Sequence, residues 1–248
     1  MQSSHVLEAL AVNAVALALL FATGKATRIL TQAGLLHAFI LGTTLWSTLG
    51  WQAWSTAMLF LISGSVVTKV KMADKLAQGI AEKRHGARGP ENVWGSAAAG
   101  TACALAAVAY PQHAPLLKIG FTASFAAKLC DTAATELGKA YGRRAYLVTT
   151  LRRVRPGTVG AVSLEGTAAG AAGAALITLY AVATALVPRG AALPCLAAAV
   201  AAAHAESVLN ATLQGRARWL TGEVINAVLT VLGAALGVAL WLLQQRRS

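Results

Sequence analysis

The chain has 248 residues, 56% of them hydrophobic and 12% charged, with a mean hydropathy of +0.60. Soluble domains carry roughly 25% charged residues, so this composition excludes an ordinary soluble fold, and its apolar content excludes a disordered chain. A net charge of +12 calls for anionic partners; the cations lie in short segments between apolar runs, which points to phosphates and lipid headgroups and not to nucleic acid.

A helix needs about 20 mostly apolar residues to cross a bilayer. In chain order, the stretches 6–23, 33–50, 51–68, 95–112, 115–135, 159–187, 191–213 and 222–243 meet that demand. They predict an all-α, polytopic transmembrane bundle of seven to eight spans, in a single integral-membrane domain over residues 1–248. The opening MQSSHVLEAL has no basic segment ahead of its apolar run, so the first stretch is expected to be a true span. The second and third meet at Gly50-Trp51, where Trp46, Trp51 and Trp54 suit an interfacial belt. Residues 69–94 can form an amphipathic interfacial helix ending near Gly86. The sixth stretch is long enough to tilt or break, and Gly160, Gly166, Gly170 and Gly173 are expected to soften it. After the eighth comes Arg246-Arg247, a basic end that would fit a last segment that re-enters or lies flat.

Cations set the orientation. Lys25 and Arg28, the basic residues of 69–94, those of 139–155, and Arg216 with Arg218 all fall on one face, 16 of the 21 in the chain. That face is expected to be cytoplasmic. The acids share the asymmetry: Asp131 and Glu136 end the fifth stretch, Glu165 opens the sixth, Glu206 lies in the inner half of the seventh and Glu223 begins the eighth. Charged groups in a span cost several kcal/mol on insertion scales and usually mark function.

Carboxylates beside arginines and lysines at one leaflet suit a metal-bound phosphate compound. Carboxylates hold Mg²⁺ and the cations neutralise phosphate oxygens. Helical spacing places Lys128, Asp131 and Thr135 on one face, Glu206, Asn210 and Gln214 on another, and Glu223 with Asn226 on a third. The competing reading is that these stripes are interhelical hydrogen-bond glue. Arg152, Arg153 and Arg155 precede a Pro156-Gly157 turn and could clamp a diphosphate or nucleotide; as a topogenic flank they would bind only headgroups. Of five scattered histidines, His204 alone lies near a candidate acid, Glu206. Cys103, Cys130 and Cys195 form no metal or disulfide pattern.

KLCDTAATELG (128–138), VTTLRRVRPGTVGAVSLEGTAAG (148–170) and ESVLNATLQG (206–215) resemble the motifs of the phytyl-phosphate kinase family, a membrane group also described as domain of unknown function 92. GIAEKRHGARGPENVWG (79–95) resembles the family's basic, glycine-containing loop that ends in Arg-x-x-x-Asn-Val. The resemblance covers about residues 30 to 235. Asp131, Thr132 and Glu136 match the acidic motif, and Arg153, Pro156, Gly157, Thr158, Gly160, Ser163, Gly166 and Thr167 match the second block. Glu206 stands where the family pattern has Asp, Asn210 and Ala161 replace glycines, and Gly222-Glu223 replaces Asn-Asp, with Asn226 kept. CDTAATELGKAYG and SLEGTAAG are also similar, at motif level only, to polyprenol kinases.

The resemblance implies a membrane kinase that moves a phosphoryl group from a nucleoside triphosphate, CTP or ATP, to a prenyl monophosphate such as phytyl or geranylgeranyl phosphate. Asp131, Glu136, Glu165, Glu206 and Glu223 are the expected Mg²⁺ ligands. Lys128, Asp131 and Arg153 are the expected catalytic groups. Arg152, Arg153, Arg155, Thr158, Ser163, Thr132, Asn210 and Asn226 are expected to bind nucleotide or phosphate. Expected partners are the isoprenoid monophosphate, the nucleotide and membrane lipids, and a homodimer is compatible with the sequence. The expected location is a bacterial plasma membrane, or a thylakoid or plastid membrane, with the site facing the cytoplasm. Rival readings are an isoprenoid-alcohol kinase, a lipid-phosphate cytidylyltransferase, and a transporter with an inner-leaflet ion site.

Overall fold

A computed structural model describes residues 3–24, 26–213, 219 and 221–247, with the side chains of Ser3 and Ser4 outside the description. Lys25, Gln214, Arg216 and Arg218, which entered the orientation and stripe arguments, lie outside the described residues. Eight long helices run over the eight apolar stretches: α1 (Ser3–Ala22), α3 (Gln32–Leu49), α4 (Trp51–Lys69), α6 (Pro90–Ala109), α7 (Ala114–Tyr141), α8 (Leu164–Ala183), α9 (Ala192–Leu213) and α10 (Gly222–Gln245). Between them lie short α2 (Ala26–Ile29) and α5 (Met72–Ala77). Among the described residues, five segments are long and apolar enough to cross a membrane: His5–Ala22, Pro90–Ala109, Leu164–Ala183, Arg189–Leu213 and Gly222–Gln245. The chain is thus an all-α, multi-pass membrane protein.

Why α7 falls short of that apolar threshold follows from its position. It packs against α4, α6, α8, α9 and α10 at once, and every residue from Ile119 to Asp131 is buried. A helix enclosed by other helices has no face turned to lipid, so it can carry Lys128, Asp131 and Glu136 where a peripheral span could not. It also continues six residues past the expected end at 135, to Tyr141.

The glycines of α8 do not soften that helix; they let it press on α7. A Cβ at Gly166 would stand 2.6 Å from the Ala134 carbonyl oxygen, at Gly170 2.8 Å from that of Cys130, and at Gly173 3.0 Å from that of Leu129. Small residues at such spacing allow two backbones to approach, which is how helices associate where there is little hydrophobic drive. Gly233 and Gly237 of α10 meet Ala127 and Ala123 of α7 in the same manner.

Three sequence expectations differ from the structure at the loops. The segment 69–94 forms no long amphipathic helix: α5 ends at Ala77, and Gly79, Arg84, His85 and Gly86 all take positive φ, which breaks the helical path. The sixth span begins at Leu164 and not at 159, because residues 145–163 fold into a small antiparallel sheet of order β2-β1-β3: β1 (Ala145–Leu147), β2 (Arg153–Val154) and β3 (Ala161–Ser163). Ser163 ends the sheet and caps α8, its side chain accepting from the Gly166 N–H at 3.1 Å. The last helix is continuous: α10 runs unbroken from Gly222 to Gln245, long and apolar enough to cross a membrane outright, and near its far end the Gln244 side chain donates to the Gly190 carbonyl at 3.1 Å. At that same end of the bundle Trp54 is tied into the protein, donating to Asn13 of α1 at 3.0 Å and packing edge-to-face on Trp46.

Candidate active site

Helices α4, α7 and α9 finish, and α6, α8 and α10 begin, at the end of the bundle that carries the loops 70–89 and 142–163. A cavity of about 720 Å³ opens there, with Lys128, Asp131, Thr132 and Glu136 of α7, Glu206 and Asn210 of α9, and Glu223 and Asn226 of α10 on its wall. The loop residues Glu82, Lys83 and Arg88 complete it. The three polar stripes expected from helical spacing therefore face one another, to the extent that they lie within the described residues.

Lys128 joins two of them. Its ammonium donates to Asp131 Oδ2 at 2.6 Å and to Asn226 Oδ1 at 2.7 Å, linking α7 to α10. On α9, Asn210 donates from Nδ2 to Glu206 Oε1 at 2.6 Å, one turn away. Glu206 lies on the same cavity wall as Asp131 and Lys128. Two buried carboxylates from different helices thus lie on one wall, and of the two only Asp131 has an ion-pair partner among the described residues, Lys128. The Oδ1 of Asn210 is buried and accepts no hydrogen bond from any described residue. Buried polar atoms are nearly always satisfied, and an oxygen left open beside two carboxylates offers the donor types that a hard cation such as Mg²⁺ takes.

The remaining expected metal ligands are placed differently. Glu136 lines the cavity, but both its oxygens are engaged, Oε2 by Lys75 at 2.5 Å and Oε1 by Lys139 at 2.9 Å. Glu165 lines neither this cavity nor the next; its Oε1 accepts from the Arg143 backbone N–H at 3.3 Å. Glu223, in the first turn of α10, does face the cavity. No group of three or more His, Cys, Asp or Glu side chains with metal-site geometry occurs among the described residues. Any cation here would rest on the mixed set of Asp131, Glu206 and Asn210.

A second cavity of about 350 Å³ lies on the other side of this acidic partition, and Asp131, Thr135, Glu206 and Asn210 belong to both walls. Its far wall is the turn from Pro156 to Gly160, with Ser163, Gly166, Thr167 and Ser207. Gly157 and Gly160 have φ of +87° and +74°, which only glycine adopts without strain, and Gly160 lies directly on Ala211 of α9. The turn is closed by Thr158, whose N–H and hydroxyl both donate to the Arg155 carbonyl, at 3.1 and 2.7 Å. Thr158 and Ser163 thus reach a cavity, whereas Arg152, Arg153 and Arg155 are exposed on the sheet and line neither one. His204 is exposed and stands 2.8 Å from the Val200 carbonyl, outside both walls.

Sequence reasoning missed Lys75 and Arg88 as individuals. Both sit in a run of basic residues whose orienting role accounts for them without any special position. The Arg-x-x-x-Asn-Val spacing, Arg88 to Val93, was the available signal, since it sets Arg88 and Asn92 at the start of α6, beside the cavity.

The fold and cavity define a polytopic membrane protein with a polar, carboxylate-bearing site at its basic end. The chain belongs to the family described as integral membrane protein DUF92, which matches residues 15–234. It is 44% identical over 235 residues to an uncharacterised membrane protein of Synechocystis sp., covering 94% of this chain and 90% of that one. It is 37% identical over 214 residues to Protein VTE6, chloroplastic, of Arabidopsis thaliana, covering 84% of this chain and 64% of the plant protein, slightly less than two thirds of its length. An uncharacterised membrane protein of Methanocaldococcus jannaschii is 29% identical over 221 residues, 88% of each chain. No solved structure matches the chain.

Proposed function

We propose that the protein is a membrane kinase that transfers the terminal phosphoryl group of a nucleoside triphosphate to a prenyl monophosphate, giving a prenyl diphosphate. The observation that carries this reading is that Asp131 of α7 and Glu206 of α9 share the wall of a 720 Å³ cavity with Lys128, Lys83 and Arg88. Opposed carboxylates and cations at one membrane boundary suit a metal-bound polyphosphate better than a bare cation or a bare headgroup. Membership of the DUF92 family supports the motif resemblance to phytyl-phosphate kinases, and a chloroplastic relative fits isoprenoid chemistry.

In the proposed reaction an oxygen of the acceptor phosphate attacks the terminal phosphorus of the donor. The bond from that phosphorus to the bridging oxygen breaks, and the nucleoside diphosphate leaves with the electron pair. An acceptor that is already ionised needs no protein base, so the protein's work is positioning and charge neutralisation. Asp131, Glu206 and the open Oδ1 of Asn210 would hold Mg²⁺, which when bound neutralises charge building up on the phosphoryl oxygens. Lys128, fixed by Asp131 and Asn226, would present its ammonium to the same oxygens. The basic end would face the cytoplasm, where nucleotide is available.

The test is turnover by purified protein with phytyl and geranylgeranyl phosphate, each with CTP, ATP, GTP and UTP, with and without Mg²⁺. A Mg²⁺-dependent prenyl diphosphate is the expected product. A CDP-lipid would assign the protein to cytidylyl transfer instead, phosphorylation of the free alcohol would make it an alcohol kinase, and ion flux in proteoliposomes without turnover would make it a transporter.

A further inference from the structure

Arg88 occupies a junction that the reaction as described does not use. Its backbone is clamped to the chain leading into α3: the Arg88 N–H donates to Ile29 at 2.9 Å, and its carbonyl accepts from Thr31 at 3.0 Å. From this anchor the side chain crosses α4, where Gly64 leaves the space, since a methyl there would collide with the Arg88 Nη2. The guanidinium carbon comes to rest 4.8 Å from the centre of the Phe60 ring. Among the described residues no carboxylate forms an ion pair with it, and its guanidinium makes no hydrogen bond to them. Burial pushes its pKa down to about 10, against the opposing pull of Glu82 and Glu136, so at neutral pH it stays a cation.

Two spaces meet at this cation. Arg88, Asn92 and Ser96 line the polar cavity and also a narrow apolar crevice of about 40 Å³ between α3, α4 and α6. Ala38, Leu41, Ala57 and Phe60 form the crevice wall, with Phe125 of α7 beside them. An anchored guanidinium with free donors, apolar wall on one side and polar cavity on the other, matches a phosphomonoester at the end of a hydrocarbon chain.

We infer that Arg88 is the ligand for the acceptor's phosphate and that the crevice between α3, α4 and α6 takes the first carbons of its isoprenoid chain. This rests on the kinase reading and adds to it a direction. The lipid acceptor enters from the α3–α4 side and meets the donor at Asp131 and Glu206, while the nucleotide fills the rest of the polar cavity. Gly64 and Phe60 act as positioning residues for the guanidinium.

Equilibrium binding of radiolabelled geranylgeranyl phosphate to the full-length protein in phosphatidylcholine nanodiscs tests the inference without requiring turnover, and initial rates add the two Michaelis constants. Arg88→Gln should weaken prenyl phosphate binding and raise the acceptor KM at least tenfold, leaving the nucleotide KM within twofold. Arg88→Lys should fall between, keeping the charge but not the fork. Ala38→Leu, which fills the crevice from a half-buried position, should also raise the acceptor KM and not the nucleotide KM. If Arg88→Gln raised the nucleotide KM instead, or lowered kcat with both constants unchanged, the inference would be overturned. Complete displacement of the prenyl phosphate by phosphatidic acid in the nanodisc would assign Arg88 to bilayer phosphate and overturn it too. Wild-type protein that binds prenyl phosphate through Arg88 but transfers nothing would sink the kinase reading alone.

Discussion

Lys75 and Glu136 form a buried ion pair, Nζ to Oε2 at 2.5 Å, with side chains only 1% and 5% exposed. The lysine sits on the short helix α5, and its ammonium also donates to the Thr68 carbonyl at 2.6 Å. Glu136 is held from the other side by Lys139. The pair pins the segment between α4 and α6, which carries Lys83 and Arg88, against the end of α7. Breaking one partner of a buried pair leaves an uncompensated charge and costs roughly 3–5 kcal/mol, whereas replacing both with apolar groups of similar volume is far milder. Glu136→Gln should therefore lower the thermal unfolding midpoint in detergent more than the Lys75→Met/Glu136→Leu double variant does. Equal or greater loss in the double variant would show that the two side chains act independently.

Asp131 and Glu206 differ from Glu136 in being short of cations, and this separates a site from a structural pair. Asp131→Asn keeps a hydrogen bond to Lys128 but removes a charge, and Glu206→Gln does the same beside Asn210. Each should reduce phosphoryl transfer by about 10² or more, the scale on which removing one electrostatic contributor to a charged transition state acts. Thermal stability separates the two: Glu206→Gln should stay close to wild type, because it relieves the burial of a carboxylate that has no ion pair among the described residues, whereas Asp131→Asn leaves the buried Lys128 without its carboxylate and should lower the unfolding midpoint. Normal transfer by purified Asp131→Asn protein would remove this residue from the site.

Asn210 provides a sharper probe of the proposed cation. Its Nδ2 is committed to Glu206 while its Oδ1 is left open. Asn210→Ala should raise the Mg²⁺ concentration for half-maximal transfer by about tenfold, as expected for loss of a neutral ligand or its support, with maximal rate largely retained at saturating metal. A fall in maximal rate with unchanged Mg²⁺ dependence would place Asn210 on the substrate and not on the metal.

The residues explain why part of this was legible beforehand. The apolar stretches and the facing stripes at Lys128, Asp131, Glu206 and Asn226 follow from helical periodicity, which a sequence displays directly. That Arg152, Arg153 and Arg155 would lie outside the cavities does not, because a short sheet between α7 and α8 turns them to solvent. Such a sheet depends on pairing between residues distant along the chain, Tyr146 with both Arg153 and Val162, and leaves no period to read. Lys75 and Arg88 were hidden for another reason. A positive-inside loop is rich in cations on topological grounds alone, so a buried one looks like its exposed neighbours.

The contact between α7 and α8 yields a prediction that needs no assay of function. Gly166 and Gly170 place α8 so near α7 that a Cβ would come within 2.6 and 2.8 Å of backbone carbonyl oxygens, which cannot rotate away as a side chain would. Gly170→Ala should therefore destabilise the protein by about 1–3 kcal/mol, the usual cost of overpacking a tight contact. Gly190 offers a control, because the atoms nearest to a Cβ there belong to the side chains of Trp241 and Gln244, at 3.3 and 3.5 Å. Gly190→Ala should be nearly neutral. Because α7 carries Asp131 and α8 follows the turn that walls the second cavity, Gly170→Ala should also reduce transfer through displacement of that wall. Unfolding midpoints of the two variants in the same detergent provide the measurement, and equal midpoints would show that α8 can withdraw from α7 without cost.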